Sequence, residues 1–371
     1  MPLRYARVVD EIRGGQIVLF YLFDVSDTID LQVISRTIGG TTAAKLLPKQ
    51  ATPPYIQYEK PPLSFEGDVV GLAEVDGFKP RVRLYDYGVV SIALSRPFCG
   101  SWSGLVGLGQ TLIESDEFEQ RAEAMCQTIV ERTRPALVGL RSKFVQEDYL
   151  AYVVNALDTP QPSDQLLAER GDQIAAMLRG ERQALSDQEK TTILRHRISY
   201  LADDLVIPTW NAAFVYDTPT GAQAALEIVE FANSQLLEYR YYDERLDDEL
   251  TVIYGSLQKP RWFDEWRASR YTRAARQVHS LFIEVNEVTD RTENALKFIG
   301  DIYAARLFWL VADRLGLSTW KADIDTKLKT LDDIYRFAVE QSAMSRGQFL
   351  ELTIVLILVL ELVLFFMGIM K

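Results

Sequence analysis

The sequence predicts an α+β protein: an N-terminal mixed α/β head, then a long antiparallel helical bundle or coiled-coil stalk, then one C-terminal transmembrane helix. Three observations predict it. β-branched and aromatic runs with strand-like alternation fill parts of the first hundred residues and return near 205–216. From residue 218 onward, apolar residues recur every three to four positions. The stretch 349–370 is almost wholly apolar. The divisions expected are 1–217 for the head, 218–346 for the stalk and 349–370 for the membrane helix.

In the head, Gln16–Val25 reads QIVLFYLFDV and predicts a strand. Arg81–Leu94 reads as two strands folded about Tyr87-Gly88. Between them, Pro48–Pro62 carries five of the fourteen prolines and predicts an extended loop. A helix opens at Ser115 on an acid-rich first turn, with Phe118, Ala122, Met125 and Ile129 along one face. The breaker run Asp158–Asp164 precedes a short helix over Gln165–Leu178, and strand character returns at Leu205–Ile207 and Ala212–Tyr216.

The stalk reads as three long helices. The first covers Ala222–Ser256 and ends at Lys259-Pro260; the second runs from about Phe263 to Leu315 and stops at Gly316. The third begins near Ser318, where Ile324, Leu328, Leu331, Tyr335 and Ala338 form a short a/d seam. Tight turns between long helices imply antiparallel packing. Glu238–Leu250 holds six acids and two arginines, whereas Lys259–Arg276 holds six bases and two acids. Helices meeting at that turn would set acids against Arg267, Arg270 and Arg273. Surface pairs of this kind contribute roughly 0–1 kcal/mol each; unpaired, the three arginines would offer a docking face to a protein partner. Tyr239, Tyr241 and Tyr242, with Trp262 and Trp266, would pack at the same turn.

The tail reads FLELTIVLILVLELVLFFMGIM. As a helix it would reach about 33 Å, against a hydrocarbon core of about 30 Å. Glu361 would sit near its middle at a cost of roughly 2.5–3.5 kcal/mol, which points to a buried intramembrane contact between helices, such as with the same residue of another copy; the alternative is a neutral Glu tolerated by a very apolar helix. Arg346 and Glu351 would lie at the membrane interface. The N-terminus MPLRYARVVDEIRGG has no apolar leader run. The expectation is therefore a single-pass, tail-anchored protein with the bilayer lipid as a partner and its head in the cytosol, in the inner membrane if the source is a bacterium.

Composition narrows the chemistry. Net charge is −12, from 52 acidic and 40 basic residues, which opposes sequence-nonspecific nucleic-acid binding. Two cysteines and two histidines supply neither a disulfide framework nor a zinc site, and no cofactor is expected. Gly104, Gly107 and Gly109 lack the Lys-Ser/Thr of a phosphate loop and read as a flexible or close-packed helix start. Asp203-Asp204 reads as a turn former; the alternative is an oxygen-ligand metal site completed by His196, Glu238, Asp243 or Glu244. Cys99 reads as a small buried hydrophobe rather than a nucleophile paired with His196. His279 reads as a core or interface histidine.

Three stretches carry a family resemblance: Leu84–Val90 (LYDYGVV), the helix Ala225–Asp247, and Arg346–Glu361, where an Arg precedes Leu350-Glu351 and an apolar helix holds a second Glu. Together they resemble the Rmd/YagE-type family, relatives of proteins required for meiotic nuclear division, from about residue 15 to the end. The resemblance implies a membrane-anchored protein whose mitochondrial relatives support organellar translation. It carries over no catalytic residue.

The function expected is an oligomeric, non-catalytic scaffold or tether held together by stalk and tail. The alternative is a membrane-associated, metal-dependent enzyme built on Asp203 and Asp204.

Overall fold

The computed structural model describes residues 11–39, 61–257, 283 and 302–366; of 37–39, 253, 255–257, 335, 337–352 and 365–366 it describes the backbone alone. It is a mixed α/β protein built on a seven-stranded sheet, in the order β2-β3-β4-β1-β5-β7-β6. The strands are β1 (Ile12–Ile29), β2 (Leu63–Glu66), β3 (Lys79–Leu84), β4 (Val89–Gly100), β5 (Leu137–Leu157), β6 (Leu205–Pro208) and β7 (Ala212–Tyr216). The helices are α1 (Leu31–Gly39), α2 (Trp102–Ile113), α3 (Glu117–Thr133), α4 (Ser163–Arg179), α5 (Asp187–Arg195), α6 (Pro219–Leu257), α7 (Ile302–Arg314) and α8 (Leu317–Phe366).

β1 lies at the centre, antiparallel to β4 on one side and β5 on the other. Its apolar run is continuous because both faces of the sheet are covered. Ile17, Leu19, Tyr21, Phe23 and Val25 enter a core shared with α2, α3 and α4. Phe20, Leu22 and Asp24 alternate with them, and all three are 0% exposed. The β3–β4 hairpin turns at Gly88, whose φ is +96° and where an added Cβ would lie 1.7 Å from the Ser26 carbonyl oxygen. β5 pairs with β7 in parallel, and β6 closes the edge antiparallel to β7. The composition of β5, with Arg, Lys, Gln, Glu and Asp in its first half, hides this 21-residue strand from a reading by apolar pattern.

Two compact units are present. One combines the described residues of Met1–Tyr241 with those of Arg291–Trp320; the other combines those of Tyr242–Asp290 with those of Lys321–Lys371. Within the second unit, Lys327 on α8 bonds both Asp243 and Asp247 on α6 at 2.7 Å, while Leu246, Ile324, Leu328 and Leu331 are buried.

Among the described residues, no helix is long and apolar enough to cross a membrane. Of the expected span 349–370, the side chains described run from Thr353 to Leu364. The transmembrane helix, the tail anchor and the membrane localisation expected from sequence are therefore not upheld. Arg346 and Glu351 lie where α8 is described by backbone alone. Arg267, Arg270, Arg273, Trp262, Trp266 and His279 lie outside the described residues.

Candidate functional site

The most concentrated polar chemistry lies between the sheet and α6. On β3, Arg81 and Arg83 alternate with Val82 and Leu84, so both guanidiniums leave the apolar layer and face α6. Strand register lines up Ser64, Arg83 and Ser91 across β2, β3 and β4. On α6, Glu227 and Glu230 are one turn apart and share a face. Arg83 donates from Nε to Ser64 Oγ at 3.0 Å, from one terminal nitrogen to Glu227 Oε1 at 3.1 Å, and from the other to Glu230 Oε2 at 2.9 Å. Arg81 adds a 2.9 Å bond to the same Oε2, and Ser91 Oγ donates to Glu230 Oε1 at 2.6 Å.

The two carboxylates experience different fields. Burial works against the charge on Glu230, yet Arg83, Arg81 and the Ser91 hydroxyl together hold it below the ordinary 4.5. Burial dominates at Glu227 and pushes it above 4.5, against the pull of Arg83. Its Oε2 is buried without a hydrogen-bond partner among the described residues. The polar seam continues along α6, where Ser234 Oγ lies 2.7 Å and Gln235 Nε2 3.2 Å from the Tyr87 hydroxyl. Farther on, Arg240 pairs with Glu147 on β5. Arg141 bonds Asp24 at 3.3 Å, pairs with Asp27, and lies 3.8 Å from the Tyr241 ring centre.

Ser91 and Glu230 have the spacing of a nucleophile and its base. Both are 0% exposed, so no substrate reaches them as they stand. The arrangement acts as a clamp: complementary charges fix one register of α6 on the strands. Sequence reasoning missed it because Glu227 and Glu230 look like a solvated helix face, and their partners lie about 145 residues upstream. The one available signal was the Arg-x-Arg alternation in a buried strand.

The residues singled out from sequence go elsewhere. Asp204 is buried and spends both carboxylate oxygens on backbone N–H groups, Tyr200 at 2.7 Å and Leu201 at 2.6 Å. Asp203 is exposed beside it. Asp243 bonds Lys327. Among the described residues, no three of His, Cys, Asp or Glu come together as a metal site. Cys99 is exposed rather than buried as expected, and its Sγ donates to the Arg13 carbonyl oxygen at 3.0 Å. Gly109 packs on Tyr152, whose hydroxyl would lie 2.1 Å from an added Cβ, so α2 lies close against the sheet.

The family model described as "Uncharacterized protein MJ0711, N-terminal domain" matches residues 14–223. The chain belongs to this family. Its matched span covers the strands from β1 to β7 and ends in the first turn of α6. Arg81, Arg83 and Ser91 fall inside the MJ0711 N-terminal domain, whereas Glu227 and Glu230 fall just beyond it. A relative, "Uncharacterized protein MJ0711" of Methanocaldococcus jannaschii, is 24% identical over 221 residues, 59% of this chain. The match spans 65% of that relative's length, just under two thirds. No solved structure matches.

This membership overturns the Rmd/YagE resemblance. Two of the three stretches that carried it, Ala225–Asp247 and Arg346–Glu361, lie outside the matched span. The third, Leu84–Val90, is a hairpin turn whose residues follow from local geometry.

Proposed function

We propose that the protein is a non-catalytic scaffold that works by self-association. One observation carries this reading. On α8, Ile354 through Leu360, then Leu362 and Val363, are each 46–66% exposed. Consecutive helical residues step around the axis by about 100°, so this run presents apolar surface in every direction. A single neighbouring helix covers one stripe, so covering this run takes several copies packed together. Glu361, exposed within the run, supplies a polar contact between copies that sets their register. In this reading residues 1–217 are the head and the long helices within 218–346 the stalk. A sealed ionic clamp supports a structural role for the sheet rather than a catalytic one.

The test compares the mass of the full-length chain, by light scattering, with that of a chain ending at Arg346. An oligomer that becomes a monomer on truncation supports the reading, and Glu361→Leu should then alter its stoichiometry. Two monomers overturn it, as does a full-length chain that needs detergent yet stays monomeric. Two oligomers of equal size remove the apolar run as the cause.

A further inference from the structure

In the first unit, a second surface combines exposed apolar groups with positive charge. On α7, Ile302, Arg306, Trp309 and Asp313 follow one another at helical spacing on one stripe. Ile302 is 82% and Trp309 58% exposed, while Ala304, Leu307, Phe308 and Val311 on the opposite side are buried. Phe308 meets Phe231 of α6 at 5.7 Å between ring centres, so the inner side already has its partner.

The segment from Arg195 to Leu201 runs beside this stripe. Tyr200 lies 5.3 Å, ring to ring, from Tyr303 at the start of α7. At the other end, His196 senses the charges of Arg314 and Asp313 as well as that of Arg195. Tyr200 is 71% and Leu201 61% exposed, and Arg195, Arg197 and Arg306 are exposed among them. Four arginines stand here against Asp203, Asp204 and Asp313. Arg314 pairs with Asp313 at 3.8 Å, and the buried Asp204 bonds the Tyr200 and Leu201 N–H groups. That leaves Arg195, Arg197 and Arg306 exposed in a chain whose net charge is −12.

We infer that this surface docks an acidic, amphipathic segment of a protein partner. Arginine and tryptophan beside exposed aliphatic groups are what protein interfaces concentrate at their anchors. Charge complementarity decides the partner's sign: a positive patch on an acidic protein selects acidic segments and repels basic ones. Ile302 and Leu201 favour a protein over single-stranded nucleic acid, which binds through stacked rings and cations and gains little from aliphatic groups.

The test uses the full-length protein and a labelled synthetic helical peptide with leucine on one face and glutamate on the other, followed by fluorescence anisotropy. Its Lys-for-Glu counterpart and a 20-mer of uridine serve as competitors. Expected are binding of the Glu peptide that weakens with added salt, at least tenfold weaker binding of the Lys peptide, and loss of at least tenfold in Arg195→Glu/Arg306→Glu and in Trp309→Ala. These side chains are exposed, and an unchanged thermal transition confirms that the variants fold. No binding of the Glu peptide, equal binding of the Lys peptide, or affinity indifferent to Arg306 overturns the inference. So does a uridine oligomer that displaces the peptide from the same residues.

Discussion

Arg83 and Glu227, 144 positions apart, close an ion pair at 3.1 Å with side chains only 5% and 3% exposed. Around it, Ser64, Arg81, Ser91 and Glu230 satisfy most of the remaining polar atoms. A buried pair of this kind gains little over a well-packed apolar one, but removing one partner strands the other's charge. The sheet and α6 are thus matched in register by a contact that tolerates little slippage.

Arg83→Met should destabilise the fold by about 3–5 kcal/mol, since Glu227 and Glu230 lose their shared guanidinium. Arg81→Met, at a site 15% exposed, should cost less. Chemical denaturation measures both, and a loss below about 1 kcal/mol for Arg83→Met would show that the cluster does not hold the helix.

The two glutamates should answer pH with opposite signs. Glu230 titrates below 4.5, so its stabilisation is present above that value and drains away as pH falls through its folded pKa. Glu227 titrates above 4.5, so its contribution is present below that value and is lost as pH rises through its folded pKa. Denaturation midpoints between about pH 3 and pH 7 check this. The advantage of wild type over Glu230→Gln should shrink toward acid, and that over Glu227→Gln should shrink toward neutrality. Parallel trends would contradict the assignment.

Tyr87→Phe removes the hydroxyl that faces Ser234 and Gln235. The expected cost is about 1–2 kcal/mol, because buried polar groups lose a partner without gaining water. Thermal unfolding of the single variant beside Tyr87→Phe/Ser234→Ala reports the coupling. Strictly additive losses would mean the two groups do not interact.

Gly109→Ala should destabilise by about 1–3 kcal/mol, as its new methyl group meets the Tyr152 ring and hydroxyl. Tyr152→Phe in the same chain should recover part of the loss, although the ring edge at 2.5 Å stays in the way. A neutral Gly109→Ala would show that α2 can lift from the sheet at no cost.

Much of the head was legible in the sequence because its signals are local. QIVLFYLFDV, the Tyr87-Gly88 turn and the short runs at 205–207 and 212–216 each state their structure within a few residues. β5 was missed because strongly polar residues interrupt its alternation, and only its pairing with β1 makes it a strand. The clamp was illegible for a different reason. A buried ion pair is a property of two distant segments, and neither Arg81-x-Arg83 nor Glu227-x-x-Glu230 says alone that water will be absent. The membrane reading of the tail rested on hydropathy over 349–370, whereas among the described residues no helix is long and apolar enough to cross a membrane.

The position of β1 has a consequence for the order of events at the ribosome. Among the described strands the first in chain order is the innermost of the sheet, and its two neighbours follow about 60 and 110 residues later. Until then a nascent chain carries QIVLFYLFDV with both hydrogen-bonding edges open, a template for any extended chain it meets. At a synthesis rate of about 5–20 residues per second, that exposure lasts several seconds or more. Shielding that ten-residue stretch in the interval would lower the chance of such mispairing.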